Sequence, residues 1–240
     1  MISKALDKNK HYHLRSGRYI KSFVYGGLDG TITTFAVVAG VAGANLNPGI
    51  VLILGFANLI ADGISMAVGD YLSTKAEKEY GKAERKIENT NISNFPKFGK
   101  RELFKIYLKQ GFNRKDSETM SKILCKNKEA CVDVMLANEL GIMENINNPG
   151  KNAAVTFGSF VLFGFVPLLA YVLAKVLEIF SMDTFFVASV LTGLTLFLLG
   201  ACKVKITKIN WFKAGLEMLI VGGVAAIAAY LVGKGLAGLV

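Results

Sequence analysis

Four side chains that can bind a metal ion follow one another along a single apolar stretch of the chain. The stretch from residue 50 to residue 72 is apolar enough to cross a bilayer, and it carries Asn58, Asp62, Met66 and Asp70. At about 100° per residue, Asn58, Asp62 and Met66 fall within one sector of a helix, together with Ser65, Gly69 and Ser73, so this helix has a polar, sulfur-containing face. A carboxylate inside a membrane is costly and usually functional, so the pattern predicts a path for a cation.

The ligand types on this face indicate the class of ion. Carboxylate oxygens suit Mg²⁺, Ca²⁺ and Mn²⁺, whereas the thioether of Met66 favours softer first-row ions such as Fe²⁺. A carboxylate can also give up a proton when a metal ion binds, so the same groups could carry both. Two simpler interpretations stay open: Met66 as a packing residue, and Asp70 as a helix-end carboxylate near the lipid headgroups.

Two further acidic residues, Asp29 and Glu217, lie within or at the edge of other apolar stretches. Asp29 is the only charged residue between positions 22 and 44, and we take it as a second intramembrane ligand. Glu217 either belongs to the same path or pairs with Lys213, four residues earlier.

Five apolar stretches and the distribution of positive charge predict the architecture. They cover residues 22–44, 50–72, 153–177, 184–202 and 214–240, and 52% of all residues are hydrophobic. Only Lys175 and Lys234, of the 28 Lys and Arg residues, fall outside the segments that this arrangement places on the cytoplasmic side. We therefore predict an all-α integral membrane protein with five transmembrane helices and a cytoplasmic N-terminus, whose net charge of +10 needs no nucleic-acid partner.

A charged stretch between the second and third spans predicts a small cytoplasmic helical domain. The expected organisation is an N-terminal arm (1–21), spans one and two (22–74), the inserted domain (75–151) and spans three to five (152–240). The Asn-rich segment before Pro96 is expected to be a loop. A solvated charged face is the common interpretation of such a stretch, but some of its side chains could form a second metal site: Glu84, Glu88, Glu102, Met135 and Glu139.

Small residues in the first span predict close helix packing. Gly26, Gly30, Ala36 and Gly40 allow another backbone to approach, either within one subunit or between two. We predict that this face forms a dimer contact. The three cysteines have no zinc-like spacing and are expected to be reduced cytoplasmic thiols.

Four segments resemble the vacuolar iron transporter family, which includes the yeast vacuolar iron and manganese importer: SGRYIKSFVYGGLDGTITTFAVVAGVAGA, ANLIADGISMAVGDYLSTKAEKEY, VDVMLANELG and GLEMLIVGGVAAIAAYLVG. The resemblance implies a homodimer of five-span subunits with a cytoplasmic metal-binding domain. It further implies export of Fe²⁺, and of Mn²⁺, Zn²⁺ or Co²⁺ as other substrates, in exchange for protons. No permanently bound cofactor is expected.

The resemblance also implies roles for individual residues. Asp29 and Met66 match the intramembrane transport residues, and the five candidate ligands of the insert match the family's cytoplasmic ligands. The chain departs from plant members at three positions, where Asn58 and Lys105 replace glutamates and Leu136 replaces a methionine. Asp62, one turn from Asn58, could substitute for the lost membrane carboxylate.

Three functions fit the sequence to different degrees. A proton-coupled metal exporter accounts for the polar residues in the spans. A metal-responsive sensor or scaffold would need only the insert. A membrane di-iron enzyme would need histidines beside its carboxylates, and the spans and the insert contain none. The membrane would be the cell membrane in a prokaryote and the vacuolar membrane in a eukaryote.

Overall fold

The fold is that of a computed structural model, which describes residues 19–141, 148–178, 183–207 and 210–238. Helices dominate the described residues and no strand occurs among them, which confirms the all-α prediction. The helices are α1 (Ile20–Gly43), α2 (Pro48–Asn94), α3 (Pro96–Lys109), α4 (Arg114–Leu124), α5 (Lys128–Glu139), α6 (Pro149–Val176), α7 (Asp183–Thr207) and α8 (Trp211–Leu236). Most of the predicted N-terminal arm, residues 1–18, lies outside the described ranges.

Five of these helices are long and apolar enough to cross a membrane: α1, α2, α6, α7 and α8. The number agrees with the sequence prediction, and the apolar part of α7 has the predicted bounds, Thr184–Cys202. The protein is therefore a multi-pass membrane protein.

Helix α2 is much longer than a single span and corrects one prediction. The Asn-rich segment expected to be a loop is helical as far as Asn94, and α3 begins at Pro96. The hydroxyls of Thr90 and Ser93 donate to backbone carbonyls one turn earlier, so they do not compete with the helix. Ile92 is buried among the apolar residues of the inserted domain, and this burial outweighs the weak helix propensity of the asparagines.

The described residues form two compact units, one from within 1–71 and 149–240 and the other from within 72–148. In the first unit α1 packs against α6, α7 and α8. Its core consists of apolar side chains that are at most 7% exposed, among them Phe35, Val38, Leu59, Phe160 and Leu168.

The small-residue face of α1 is filled within the same chain. A Cβ atom at Gly26 or Gly30 would collide with the backbone of α6, at Thr156 and Phe160 respectively. On α8, a Cβ atom at Gly233 would collide with the carbonyl group of Gly40, whereas a Cβ atom at Gly40 itself would lie 3.8 Å from the Ala229 carbonyl oxygen. At Gly26 and Gly30 these contacts contradict the predicted dimer contact through α1, since close packing within one subunit already covers that part of the face.

The second unit contains α3, α4 and α5 around its own apolar core. Leu103, Val132 and Met135 are at most 1% exposed. Asn113 and Asn127 cap α4 and α5 by accepting hydrogen bonds from backbone N–H groups of the first turn. Cys125 and Cys131 form a disulfide, contrary to the expectation of reduced thiols, and Cys202 is free and exposed.

Candidate metal path and cytoplasmic acidic cluster

The fold brings together two of the predicted intramembrane carboxylates. Asp29 on α1 and Asp62 on α2 are both half-buried, and they are close enough for their charges to repel each other. Their positions follow from helix periodicity, because each lies on a side of its helix that turns toward neighbouring helices. Two like charges at low dielectric repel strongly unless a cation or a proton neutralises one of them.

Two other candidate ligands, Asn58 and Met66, lie one turn before and one turn after Asp62 on α2. Asn58, one turn before Asp62, has a buried side-chain nitrogen to which none of the described residues offers a hydrogen-bond acceptor. An unpaired buried donor is costly, so this amide can bind an oxygen of a passing hydrated ion or of a carboxylate. Met66, one turn after Asp62, is half-buried and packs against the apolar core. Its sulfur is therefore both a packing group and a candidate soft ligand.

Asp70 has a different environment from the other carboxylates of α2. Its Oδ2 accepts hydrogen bonds from the hydroxyls of Ser22 on α1, at 2.9 Å, and of Thr156 on α6. The residue is thus a polar link among three helices rather than a free helix-end carboxylate. Sequence reasoning missed both partners, since a serine and a threonine in distant helices give no signal of a shared contact.

Glu217 is not joined to the other path residues by any interaction seen in the described ranges. It is exposed on α8, and neither a hydrogen bond nor an ion pair connects it there to Lys213. The alternative pairing suggested by their spacing is therefore not formed, and the residue contributes an exposed charge near one end of the helix.

A second group of carboxylates forms in the inserted domain: Glu88 on α2, Glu102 on α3 and Glu139 on α5. We call it the cytoplasmic acidic cluster, after the location that the sequence predicts for this domain. Burial raises the pKa of Glu139 above its ordinary value of 4.5, and the charges of Glu102 and Glu88 raise it further. Lys105 acts in the opposite direction. These three residues, far apart in sequence, therefore lie within electrostatic range of one another.

The cytoplasmic acidic cluster contains one unused acceptor and one internal cation. Oε1 of Glu88 accepts a long hydrogen bond from the Asn91 side chain at 3.4 Å, whereas Oε2 is buried and has no hydrogen-bond donor among the residues that the structure describes. The Lys105 ammonium lies 2.7 Å from Glu102 Oε1. The lysine therefore occupies the neighbourhood in which a divalent cation would otherwise be attracted.

The other predicted ligands of the insert are placed less favourably for immediate metal binding. Met135 is 1% exposed in the apolar core, with Leu136 beside it at 4%, and Glu84 is half-buried on α2. Within the described ranges, no three His, Cys, Asp or Glu side chains are close enough to hold an ion as they stand. Metal binding in this domain requires side-chain movement.

Comparison with known proteins identifies relatives along nearly the whole chain. Residues 20–234 match the VIT family. A vacuolar iron transporter of Toxoplasma gondii is 40% identical over 234 residues, covering 95% of this chain and 78% of that protein. A vacuolar iron transporter of Plasmodium berghei is 35% identical, covering 95% of this chain and 86% of the relative. Vacuolar iron transporter 1 of Arabidopsis thaliana is 31% identical, covering 95% of this chain and 90% of that protein.

Proposed function

The chain belongs to the VIT family, and on that premise we propose that it carries Fe²⁺ across a membrane, out of the cytoplasm, in exchange for protons. The observation that carries the proposal is the pair of half-buried carboxylates, Asp29 and Asp62, whose charges repel each other. Mn²⁺, Zn²⁺ and Co²⁺ are candidate further substrates, because carboxylate sites bind these ions as well.

The carboxylate pair supports exchange at a single site. In the metal-free state at least one of the two carboxylates holds a proton, since two adjacent negative charges at low dielectric are unfavourable. An arriving Fe²⁺ displaces that proton, because a metal ion binds the deprotonated ligand. Met66 has no proton to lose, so it affects which metal is bound and leaves the coupling unchanged.

The positive-inside distribution supports the direction of transport. It favours a cytoplasmic inserted domain, whose acidic cluster would attract divalent ions on that side. The names of the relatives favour the vacuolar membrane of a eukaryotic cell as the location. Fe²⁺ would then move from the cytoplasm into a storage compartment.

A surface of α2 supports assembly as a homodimer. Ala57, Ala61, Ser65 and Gly69 recur every four residues, and all four are exposed in the single chain. Small residues at this spacing allow close approach of a second helix. Asn58 and Asp62 lie next to this stripe, so pairing of two copies would shield the path residues from lipid.

Transport by purified protein in liposomes tests the proposal. We expect Fe²⁺ to cross the membrane only with the protein present and to move faster when an opposing proton gradient is imposed. The Glu118→Gln variant, which removes an exposed carboxylate of α4 that belongs to neither acidic site, serves as the control and should transport normally. Fe²⁺ binding without transport would instead support the metal-responsive sensor.

A further inference from the structure

An open cavity of about 420 Å³ in the second unit has an unusually uniform lining. Its walls are formed by residues of α2 and the first residue of α5: Lys82, Arg85, Lys86, Asn89, Thr90, Ser93 and Lys128. All seven side chains are polar, four of them are cationic, and no carboxylate or aromatic ring is among them. The composition differs sharply from the cytoplasmic acidic cluster in the same unit.

Most of the positive charge in this cavity is not neutralised by the protein. Lys82 and Lys86 are one helical turn apart and form no ion pair with any described carboxylate. The Lys128 ammonium donates to the Ser93 hydroxyl, which is uncharged. Like charges at this spacing on a helix destabilise it, so the cavity carries an electrostatic cost that an anion would remove.

Arg85 differs from the three lysines because its charge is already compensated. Its guanidinium binds Glu129 Oε2 at 2.8 Å and Asp133 Oδ1 at 2.6 Å, both on α5. These two contacts hold α5 against α2 and fix the position of Lys128 relative to Lys82 and Lys86. The two ion pairs of Arg85 thus connect the two helices that line the cavity. The ammonium groups of Lys82, Lys86 and Lys128 are available to a ligand.

The acidic residues of α2 near the cavity form no ion pair with Lys82 or Lys86. Glu79, three residues before Lys82 and on the same side of the helix, pairs with Lys75 at 3.8 Å. At about 100° per residue, Glu84 and Glu88 lie on the side of the helix opposite Lys82 and Lys86. One helix thus presents an acidic face on one side and a basic face on the other. Lys128 is also the first residue of α5, where the helix dipole adds partial positive charge.

We propose that this cavity binds a multivalent phosphate-bearing anion. Several phosphate oxygens can neutralise three ammonium groups together, which a single carboxylate cannot do. The absence of aromatic and apolar side chains from the lining excludes recognition through base stacking, so the phosphate groups themselves are the recognised feature. The source is either a free oligophosphate or the phosphorylated headgroup of a lipid. This inference does not depend on the proposed transport activity.

Calorimetric titration of the detergent-solubilised full chain tests the proposal with two probes, inorganic tripolyphosphate and a short-chain phosphatidylinositol bisphosphate. We expect binding, weakened at least about tenfold by the combined changes Lys82→Gln, Lys86→Gln and Lys128→Gln. The probe with the lower Kd identifies the source. Inorganic sulfate at the same ionic strength should compete poorly, because it offers fewer charges.

A charge-matched variant separates a site from general surface attraction. Lys100→Gln, Lys109→Gln and Lys115→Gln remove the same charge from exposed positions of this unit that do not line the cavity. This control should change the Kd by no more than about twofold. Equal weakening by both triple variants, or failure of both probes to bind wild type, would overturn the proposal. Lys86→Gln alone gives the same comparison if the triple variant does not fold.

Discussion

The two acidic sites of this protein differ in how their charge is balanced. Asp29 and Asp62 in the membrane unit repel each other, and no Lys or Arg of the described residues forms an ion pair with either of them. The cytoplasmic acidic cluster contains Lys105, which binds Glu102 directly. A site without an internal cation must take up a proton or a metal ion, whereas a site with one can remain empty. The first arrangement suits obligatory exchange, and the second suits reversible collection of ions.

The largest expected effect comes from removing one membrane carboxylate. Asp29→Asn should reduce Fe²⁺ transport in liposomes at least about a hundredfold, since loss of a charged ligand from a low-dielectric site removes several kcal/mol of binding. Met66→Leu should weaken Fe²⁺ transport only severalfold, and the remaining flux should still respond to the proton gradient. Transport by Asp29→Asn at a rate near wild type would shift the mechanism to other carboxylates.

A structural effect is expected at Asp70, which links three helices without belonging to either acidic site. Asp70→Ala leaves the Ser22 and Thr156 hydroxyls without their acceptor, and should lower the free energy of unfolding by about 2–3 kcal/mol. Asp70→Asn keeps one side-chain carbonyl acceptor, so it should lower the free energy of unfolding by less than Asp70→Ala. Thermal denaturation in detergent measures both variants. As a control, Glu217→Ala removes an exposed carboxylate that forms no ion pair or hydrogen bond with the described residues, and it should leave the transition unchanged.

A moderate effect on metal affinity is expected from removing Lys105, the cation that distinguishes the cytoplasmic acidic cluster from the Asp29 and Asp62 pair. Lys105→Gln should raise the affinity of the cytoplasmic acidic cluster for Mn²⁺ by roughly three- to tenfold, because the internal cation no longer competes with the metal. Isothermal titration measures this change. Lys122→Gln breaks a similar surface ion pair with Glu118 and should have no effect on Mn²⁺ binding. Unchanged affinity in Lys105→Gln would mean that Glu102 is not a ligand.

The smallest expected effect is a pH dependence of the inserted domain. Folding raises the pKa of Glu139, so the stability this group contributes is present below its ordinary value of 4.5 and is lost as the pH rises through the raised pKa. Glu139→Gln should remove this small loss in metal-free protein. A hydrogen bond from Lys122 lowers the pKa of Glu118, so its contribution has the opposite sign and is lost as the pH falls. Denaturation midpoints measured across pH 4–6 compare Glu139→Gln with Glu118→Gln, and the two variants should change the pH dependence in opposite directions.

Assembly offers another contrast between two helices. Single cysteines at Ala61 and Ser65 in a cysteine-free background should cross-link between copies, because these positions are exposed on α2. Cysteines at Gly26 and Gly30 should not, since both positions are filled by α6 of the same chain. Efficient cross-linking at Gly30 alone would restore the dimer contact predicted from the sequence.

Helix periodicity and hydropathy were sufficient to predict much of the membrane unit. The spans, and the placement of Asp62 and Met66 near one face of α2, follow from side-chain spacing along single helices. The partners of each helix did not follow. The glycines of α1 predict close approach, but which helix approaches depends on the shape of the whole unit, and α6 fills the place assigned to a second subunit.

Contacts between segments that are far apart in the chain could not be predicted from side-chain spacing either. The hydrogen bonds from Ser22 and Thr156 to Asp70 join positions that are 48 and 86 residues away from it. The helical continuation of α2 to Asn94 depends on burial of Ile92 in a core that forms only after folding. The pairing of Lys105 with Glu102 is local, and a spacing of three residues could have indicated it.

Simultaneous measurement of Fe²⁺ and proton movement in liposomes tests the central claim, that metal and proton exchange at the Asp29 and Asp62 pair. Wild-type protein should move protons in the direction opposite to Fe²⁺, and Asp62→Asn should abolish the metal-dependent proton movement together with most of the Fe²⁺ flux. Glu102→Gln, which alters only the cytoplasmic acidic cluster, should retain the coupling. Proton movement that persists unchanged in Asp62→Asn would contradict the account.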